Sequence, residues 1–127
     1  MPPTILTVDD AKAVRTLVEN TLAGFDCELT TATNGFEAFF AIERVRPALI
    51  LLDVSMPIMG GVETLRRLKA TPELADIPVI MLTSRADHTI VPLLPNMGAV
   101  GNVLKPFDEA TVLAAIQSVL KLQPVPN

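Results

Sequence analysis

The chain has 127 residues, a length that suits one compact domain. Half of its residues are hydrophobic, which excludes intrinsic disorder, and its single cysteine excludes an internal disulfide. Ten basic residues against fourteen acidic ones give a net charge of −4, so we expect no nucleic-acid binding through this domain. Because no apolar run is long enough to cross a bilayer and the chain begins without the features of a signal peptide, we expect a cytoplasmic protein without membrane insertion.

The first strand and helix are predicted close to the amino terminus. Residues 4–8 are apolar or β-branched, which predicts a buried strand, and Asp9 and Asp10 follow it directly. From Val14 onward, apolar residues recur at the period of a helix that packs on one side, and Gly24 ends that helix. A strand followed by a helix in this way is typical of the beginning of an α/β fold.

The next part of the chain repeats this order. Residues 27–32 predict a second strand, and the helix that follows has Asn34 as its N-cap, with Glu37 three residues later to complete the cap. The most continuous apolar run, residues 48–52, predicts a central parallel strand that is covered on both faces. This third strand ends at Asp53.

Two further strands in the second half of the chain also end at polar residues. After a loop and an amphipathic third helix, residues 78–82 predict a fourth strand that ends at Thr83. Residues 100–104 predict a fifth strand that ends at Lys105, and Asp108 caps the last helix.

Prolines interrupt the fourth helix. We predict this helix over residues 86–97, but Pro92 and Pro95 each lack an N–H group and clash with the preceding turn, so we expect it to be short, kinked or partly unwound. Five strands then alternate with five helices, which favours an open parallel sheet with helices on both faces. The predicted domain covers residues 1–122, and we expect residues 123–127 to form a short flexible tail.

The residues at the strand ends form the candidate site, because functional sites of such sheets lie outside the carboxyl ends of the strands. Three carboxylates at this edge would raise one another's pKa unless a cation lay among them, and oxygen ligands suit Mg²⁺. A carboxylate beside Mg²⁺ is a nucleophile toward phosphorus, while an ammonium and a hydroxyl suit phosphoryl oxygens. We expect Asp53 to be the acceptor of a phosphoryl group. The strand-end residues are Asp9, Asp10, Asp53, Thr83 and Lys105.

From about Thr4 to Leu122, the chain resembles the receiver domain of bacterial two-component response regulators, a flavodoxin-like family typified by the chemotaxis regulator. The resemblance implies a three-layer α/β/α sandwich with a five-stranded parallel sheet in the order 2-1-3-4-5 and five helices. Four segments carry it: ILTVDD at 5–10, LLDVSMPIMGG at 51–61, PVIMLTS at 78–84 and KPF at 105–107.

The resemblance also implies roles for single residues. Asp53 would receive a phosphoryl group from the phosphohistidine of a sensor histidine kinase or a histidine phosphotransfer protein, and Thr83 and Lys105 would bind the phosphoryl oxygens. The peptide bond between Lys105 and Pro106 would be cis. Phosphorylation would alter binding to a downstream protein that the sequence does not identify. We expect Lys105 to serve the phosphoryl group and to be dispensable for folding.

Two predictions depend on Ser55, one on its backbone carbonyl and one on its side chain. The resemblance implies that its backbone carbonyl holds Mg²⁺ together with Asp9, Asp10 and Asp53. Its side chain argues against the alternative of an aspartyl-phosphate hydrolase of the haloacid-dehalogenase type, which needs an acid two residues after the nucleophile. We therefore expect a phospho-accepting signalling domain with at most slow autodephosphorylation, and not an enzyme.

The chain departs from the family pattern at residue 102. Family members usually have Tyr or Phe three residues before the lysine, where the ring rotates inward after phosphorylation, but this chain has Asn102 there. The candidate switch or output residues are therefore Asn102 and Pro106, without the usual aromatic ring. Two possibilities stay open: phosphorylation orders residues 86–97, or the chain is a phosphorelay shuttle or phosphate sink with little switching.

Overall fold

The computed structural model describes residues 2–126, so Met1 and Asn127, at the two ends of the predicted domain and tail, lie outside it. Over this range, five strands alternate with four α-helices. The elements are β1 (Thr4–Val8), α1 (Lys12–Leu22), β2 (Glu28–Ala32), α2 (Gly35–Arg44), β3 (Leu49–Asp53), α3 (Gly61–Ala70), β4 (Val79–Thr83), β5 (Gly101–Leu104) and α4 (Glu109–Gln117).

The strands form one parallel sheet in the order β2-β1-β3-β4-β5, which confirms the predicted topology. Every residue of β1, β3 and β4 is buried, as expected for central strands made of continuous apolar runs. In the register of the sheet, Val8 lies opposite Leu52, and Asp53 lies opposite Leu82. The central strands therefore end at nearly the same level.

Apolar side chains cover the sheet on both faces, which confirms the three-layer sandwich. Alternate strand residues point to opposite faces, so Leu6 and Ile50 belong to the core beneath α2 and α3. Ile5 and Leu51 belong to the core beneath α1 and α4. Over residues 2–126, no helix is long and apolar enough to cross a membrane.

The predicted cap of α2 is confirmed, since the side chains of Asn34 and Glu37 each accept a backbone hydrogen bond. The backbone N–H of Glu37 donates to Asn34 Oδ1 (3.0 Å), and the Glu37 carboxylate accepts from the backbone N–H of Thr33 (2.8 Å). Asp108 caps α4 in the predicted way, since its Oδ1 accepts from the backbone N–H of Thr111 (2.8 Å). Side-chain caps thus set the beginning of two helices.

The prediction that residues 86–97 form the fourth of five α-helices is wrong. Because Pro92 and Pro95 have no N–H group to donate four residues back, the backbone there uses tighter bonds to the third residue back, such as Leu94 N–H to the Val91 carbonyl (3.2 Å). The expectation of a partly unwound segment is confirmed. The segment consists of three short 3₁₀ turns, Arg85–Asp87, Val91–Leu93 and Pro95–Met97.

Two backbone hydrogen bonds join the tail to an earlier part of the chain. The Asp26 N–H donates to the Gln123 carbonyl (2.7 Å), and the Val125 N–H donates to the Gly24 carbonyl (3.0 Å). These two bonds join residues 123–125 to the turn between α1 and β2. The domain boundary at residue 122 and the flexibility of the tail both stay predictions.

The hydroxyl of Thr7 leads to a prediction about stability. Thr7 is fully buried in β1, and its Oγ1 has no hydrogen-bond partner among the described residues. A buried hydroxyl without a partner costs about 1–3 kcal/mol. We expect Thr7→Val, which keeps the shape, to raise the free energy of unfolding by about 1 kcal/mol in urea denaturation.

Thr64 provides the matched control for this substitution. It is equally buried, but its hydroxyl donates to the Gly60 carbonyl (2.7 Å). Thr64→Val should therefore lower the free energy of unfolding. If Thr7→Val lowers the free energy of unfolding as Thr64→Val does, the Thr7 hydroxyl has a hydrogen-bond partner.

Candidate functional site

The carboxyl ends of four strands bring the predicted polar residues to one edge of the sheet. Asp9 and Asp10 follow β1, and Asp53 is the last residue of β3. One carboxylate oxygen from each of these three residues lies within 4.8 Å of the other two. Asp9 is fully buried and Asp53 is 4% exposed, whereas Asp10 is exposed.

Lys105 supplies positive charge to this acidic cluster. Its Nζ lies 2.8 Å from Asp9 Oδ2 and 3.0 Å from Asp53 Oδ1. One ammonium thus contacts two buried carboxylates. That Lys105 is dispensable for folding stays a prediction.

The two carboxylate oxygens of Asp9 have different partners. Its Oδ1 accepts from the backbone N–H of Ala11 (2.8 Å), which fixes the turn into α1. Its Oδ2 is buried, and the Lys105 ammonium is its one partner among the described residues. Arg15, which our sequence reasoning missed, donates to the Asp9 backbone carbonyl (2.9 Å). Its position one turn along α1 from the acids is the signal that would have identified it.

The ionisation of Asp53 reflects its burial. Burial raises its pKa from 3.8 to about 6; the hydrogen bond from Lys105 opposes this rise, and the negative charge of Asp9 adds to it. For Lys105, burial alone would lower the pKa, but the hydrogen bonds and charges of Asp9 and Asp53 outweigh burial and raise it. The cluster therefore lacks positive charge.

These properties fit a bound divalent cation. The carboxylate oxygens of Asp9, Asp10 and Asp53 lie close enough together to form an all-oxygen donor set, and among the described residues only the Lys105 ammonium contacts Asp9 Oδ2. Hard cations such as Mg²⁺ or Ca²⁺ bind this kind of site, since their charge offsets the repulsion among the carboxylates. The predicted backbone ligand, the Ser55 carbonyl, stays a prediction; the Ser55 backbone amide does lie beside Asp53, where it lowers the pKa of that carboxyl.

Gly61 lets the loop after β3 close against the site. A Cβ atom at this position would lie 2.0 Å from the Asp53 carbonyl oxygen, so no other residue fits without movement of the backbone. The Gly61 N–H donates to the Val54 carbonyl (2.9 Å) and ties α3 to the end of β3. From the sequence, Gly61 indicated only a loop.

Thr83 points toward β5 and not toward the acidic cluster. It is fully buried, and its Oγ1 donates to Asn102 Oδ1 (2.8 Å). Asn102, the residue in place of the expected aromatic ring, thus contacts Thr83 directly. The peptide bond between Lys105 and Pro106 is cis, which confirms that prediction.

Comparisons with known proteins agree on one family. Residues 5–117 match the family model of the response regulator receiver domain. The chain is 32% identical over 121 residues to the phosphate regulon transcriptional regulatory protein PhoB of Rhizobium meliloti, covering 95% of this chain and 53% of PhoB. It is 32% identical over 119 residues to sporulation initiation phosphotransferase F of Bacillus subtilis, covering 94% of each chain.

A solved structure gives the same result. The chemotaxis response regulator CheY4 of Vibrio cholerae matches this fold with a TM-score of 0.85 at 32% identity, covering 94% of this chain and 100% of that one. The chain spans about half the length of the curated transcriptional regulators that it matches.

The raised pKa of Asp53 predicts how a substitution changes stability. In metal-free buffer near neutral pH, Asp53→Asn should raise the free energy of unfolding by about 1–3 kcal/mol, since an amide avoids the cost of a buried charge. The gain should shrink as the pH falls through about 6 and vanish below 3.8, where Asp53 is protonated in both the folded and the unfolded state. Urea denaturation across this pH range measures the effect.

Asp26 provides the control, because it is an exposed acid just before β2, at the amino ends of the strands and away from the site. Asp26→Asn should change stability by less than about 0.5 kcal/mol. A loss of stability in Asp53→Asn at neutral pH would show that the charged carboxylate is favourable in the folded state.

Proposed function

The chain belongs to the response regulator receiver domain family, and on this premise we propose that it is a phospho-accepting domain of two-component signalling. Asp53 receives the phosphoryl group from the phosphohistidine of a sensor histidine kinase or of a histidine phosphotransfer protein. The observation that carries this proposal is the contact of the Lys105 ammonium with the nearly buried carboxylate of Asp53 and with a second buried acid, Asp9.

The proposed transfer is an in-line displacement at phosphorus. One carboxylate oxygen of Asp53 attacks phosphorus, an O–P bond forms, and the N–P bond to the donor histidine breaks, with its electron pair kept by the histidine. Lys105 lies 3.0 Å from Asp53 and is placed to bind an oxygen of the transferred group. Thr83, at the end of the neighbouring strand, supplies a hydroxyl donor for another oxygen.

We propose Mg²⁺ as the cation of the acidic cluster. Asp9, Asp10 and Asp53 would hold it, with the backbone carbonyl of Ser55 as a further ligand. When bound, Mg²⁺ supplies positive charge that offsets the carboxylates and the oxygens of the incoming phosphoryl group. The support is the all-oxygen donor set and the imbalance of one ammonium, that of Lys105, against three carboxylates.

The side chain of Ser55 limits the chemistry after transfer. Rapid hydrolysis of phosphate esters needs a general acid close to the nucleophile, and this chain has a serine hydroxyl two residues after Asp53. We therefore propose a signalling domain with at most slow loss of its phosphoryl group, and not a phosphatase with turnover.

The output is a change in binding to a protein partner, and we propose no contact with nucleic acid through this domain, because its net charge is −4. A second candidate is a phosphorelay shuttle or phosphate sink. Asn102 favours it, since the family's usual aromatic ring is absent at the position that contacts Thr83.

Intact-mass measurement tests the proposed acceptor. After incubation with Mg²⁺ and acetyl phosphate, the protein should gain the mass of one phosphoryl group, and Asp53→Asn should gain none. Asp10→Ala should reduce labelling by at least about tenfold, because the cluster then loses a ligand for the cation. Asp26→Asn should label like the wild type. Equal labelling in excess chelator, or any stable labelling of Asp53→Asn, contradicts the proposal.

A further inference from the structure

The side chains of Thr83 and Asn102 face each other across two neighbouring strands. In the register of β4 and β5, Met81 pairs with Asn102 and Thr83 pairs with Leu104, so Thr83 and Asn102 are diagonal neighbours on one face of the sheet. The Thr83 hydroxyl donates to Asn102 Oδ1 at 2.8 Å. This is a normal distance for a hydroxyl donor.

This hydrogen bond points away from the phosphoryl acceptor. The strand order places β4 between β3, which carries Asp53, and β5, which carries Asn102. A threonine hydroxyl has one hydrogen to donate. Thr83 can therefore donate to Asn102 on one side or to a phosphoryl group on Asp53 on the other, but not to both.

Two hydrogen bonds hold the backbone around Thr83 in place. The Thr83 carbonyl accepts from the backbone N–H of Lys105 (2.6 Å). The next residue, Ser84, donates its backbone N–H to Asp87 Oδ2 (2.7 Å). Beside Asn102, an open hollow of about 370 Å³ reaches His88 and Val91 and leaves room for the released amide.

We propose, on the basis of the function proposed above, that Asn102 is a positioning residue that holds the Thr83 hydroxyl away from Asp53 until a phosphoryl group competes for it. The Thr83–Asn102 hydrogen bond then opposes phosphorylation, and its loss releases Asn102 on the exposed face of β5. In this chain, a polar bond takes the place at which the family usually has an aromatic ring.

Titration calorimetry with beryllofluoride, a mimic of the phosphoryl group, tests this proposal at saturating Mg²⁺. Asn102→Ala should bind beryllofluoride about 2- to 10-fold more tightly than the wild type, the range expected from one neutral hydrogen bond. Leu104→Ala, which shortens the other exposed side chain on this face of β5, should bind like the wild type. Affinity for Mg²⁺ alone should be unchanged in both variants.

A double-mutant cycle separates this role from a structural one. In a Thr83→Ala background there is no hydroxyl to hold, so Asn102→Ala should have no further effect on beryllofluoride affinity. Asn102→Leu, which also cannot accept a hydrogen bond, replaces Asn102→Ala if the alanine variant folds poorly. Equal or weaker binding by the single variant, or the same gain in the Thr83→Ala background, overturns the proposal. If the wild type itself binds no beryllofluoride, the proposed function fails and this inference fails with it.

Discussion

One ammonium, that of Lys105, lies between two buried carboxylates, and the properties of the site depend on this imbalance of charge. Asp9 and Asp53 are almost completely removed from water, which is costly for ionised groups unless they are paired. Lys105 contacts both, and Asp10 adds a third negative charge at the solvent boundary. Because one positive charge cannot neutralise three carboxylates, the site favours binding of a cation. Once a cation is bound, the site also favours the approach of an electrophilic group.

The sheet makes this costly arrangement possible. Strands β1 and β3 are neighbours in its centre, with apolar cores on both faces, so their ends are rigid and close together. The chain brings Lys105 to the same edge from β5, and Gly61 allows the loop after β3 to approach the Asp53 carbonyl. The stability of the two cores tolerates a site that is itself unfavourable when it lacks a cation.

Short-range patterns predicted the features that depend on them. Continuous apolar runs identified β1, β3 and β4, and the polar residues at their ends identified the acidic cluster. Pro92 and Pro95 predicted an irregular segment. They did not predict that hydrogen bonds to the third residue back would form three separate 3₁₀ turns there. Features that depend on distant contacts were missed. The bond between Thr83 and Asn102 needs the register of β4 and β5, and the pairing of residues 123–125 needs the position of the turn after α1.

We propose that Mg²⁺ supplies the positive charge that the acidic cluster lacks. Thermal unfolding of the wild type over a series of MgCl₂ concentrations, with ionic strength held constant by KCl, tests this binding. A ligand that binds only the folded state raises the unfolding temperature as its concentration rises above its Kd. We expect Tm to keep rising with each tenfold increase in Mg²⁺ concentration above the Kd. A Tm that is the same in MgCl₂ and in chelator would show that the cluster does not bind Mg²⁺.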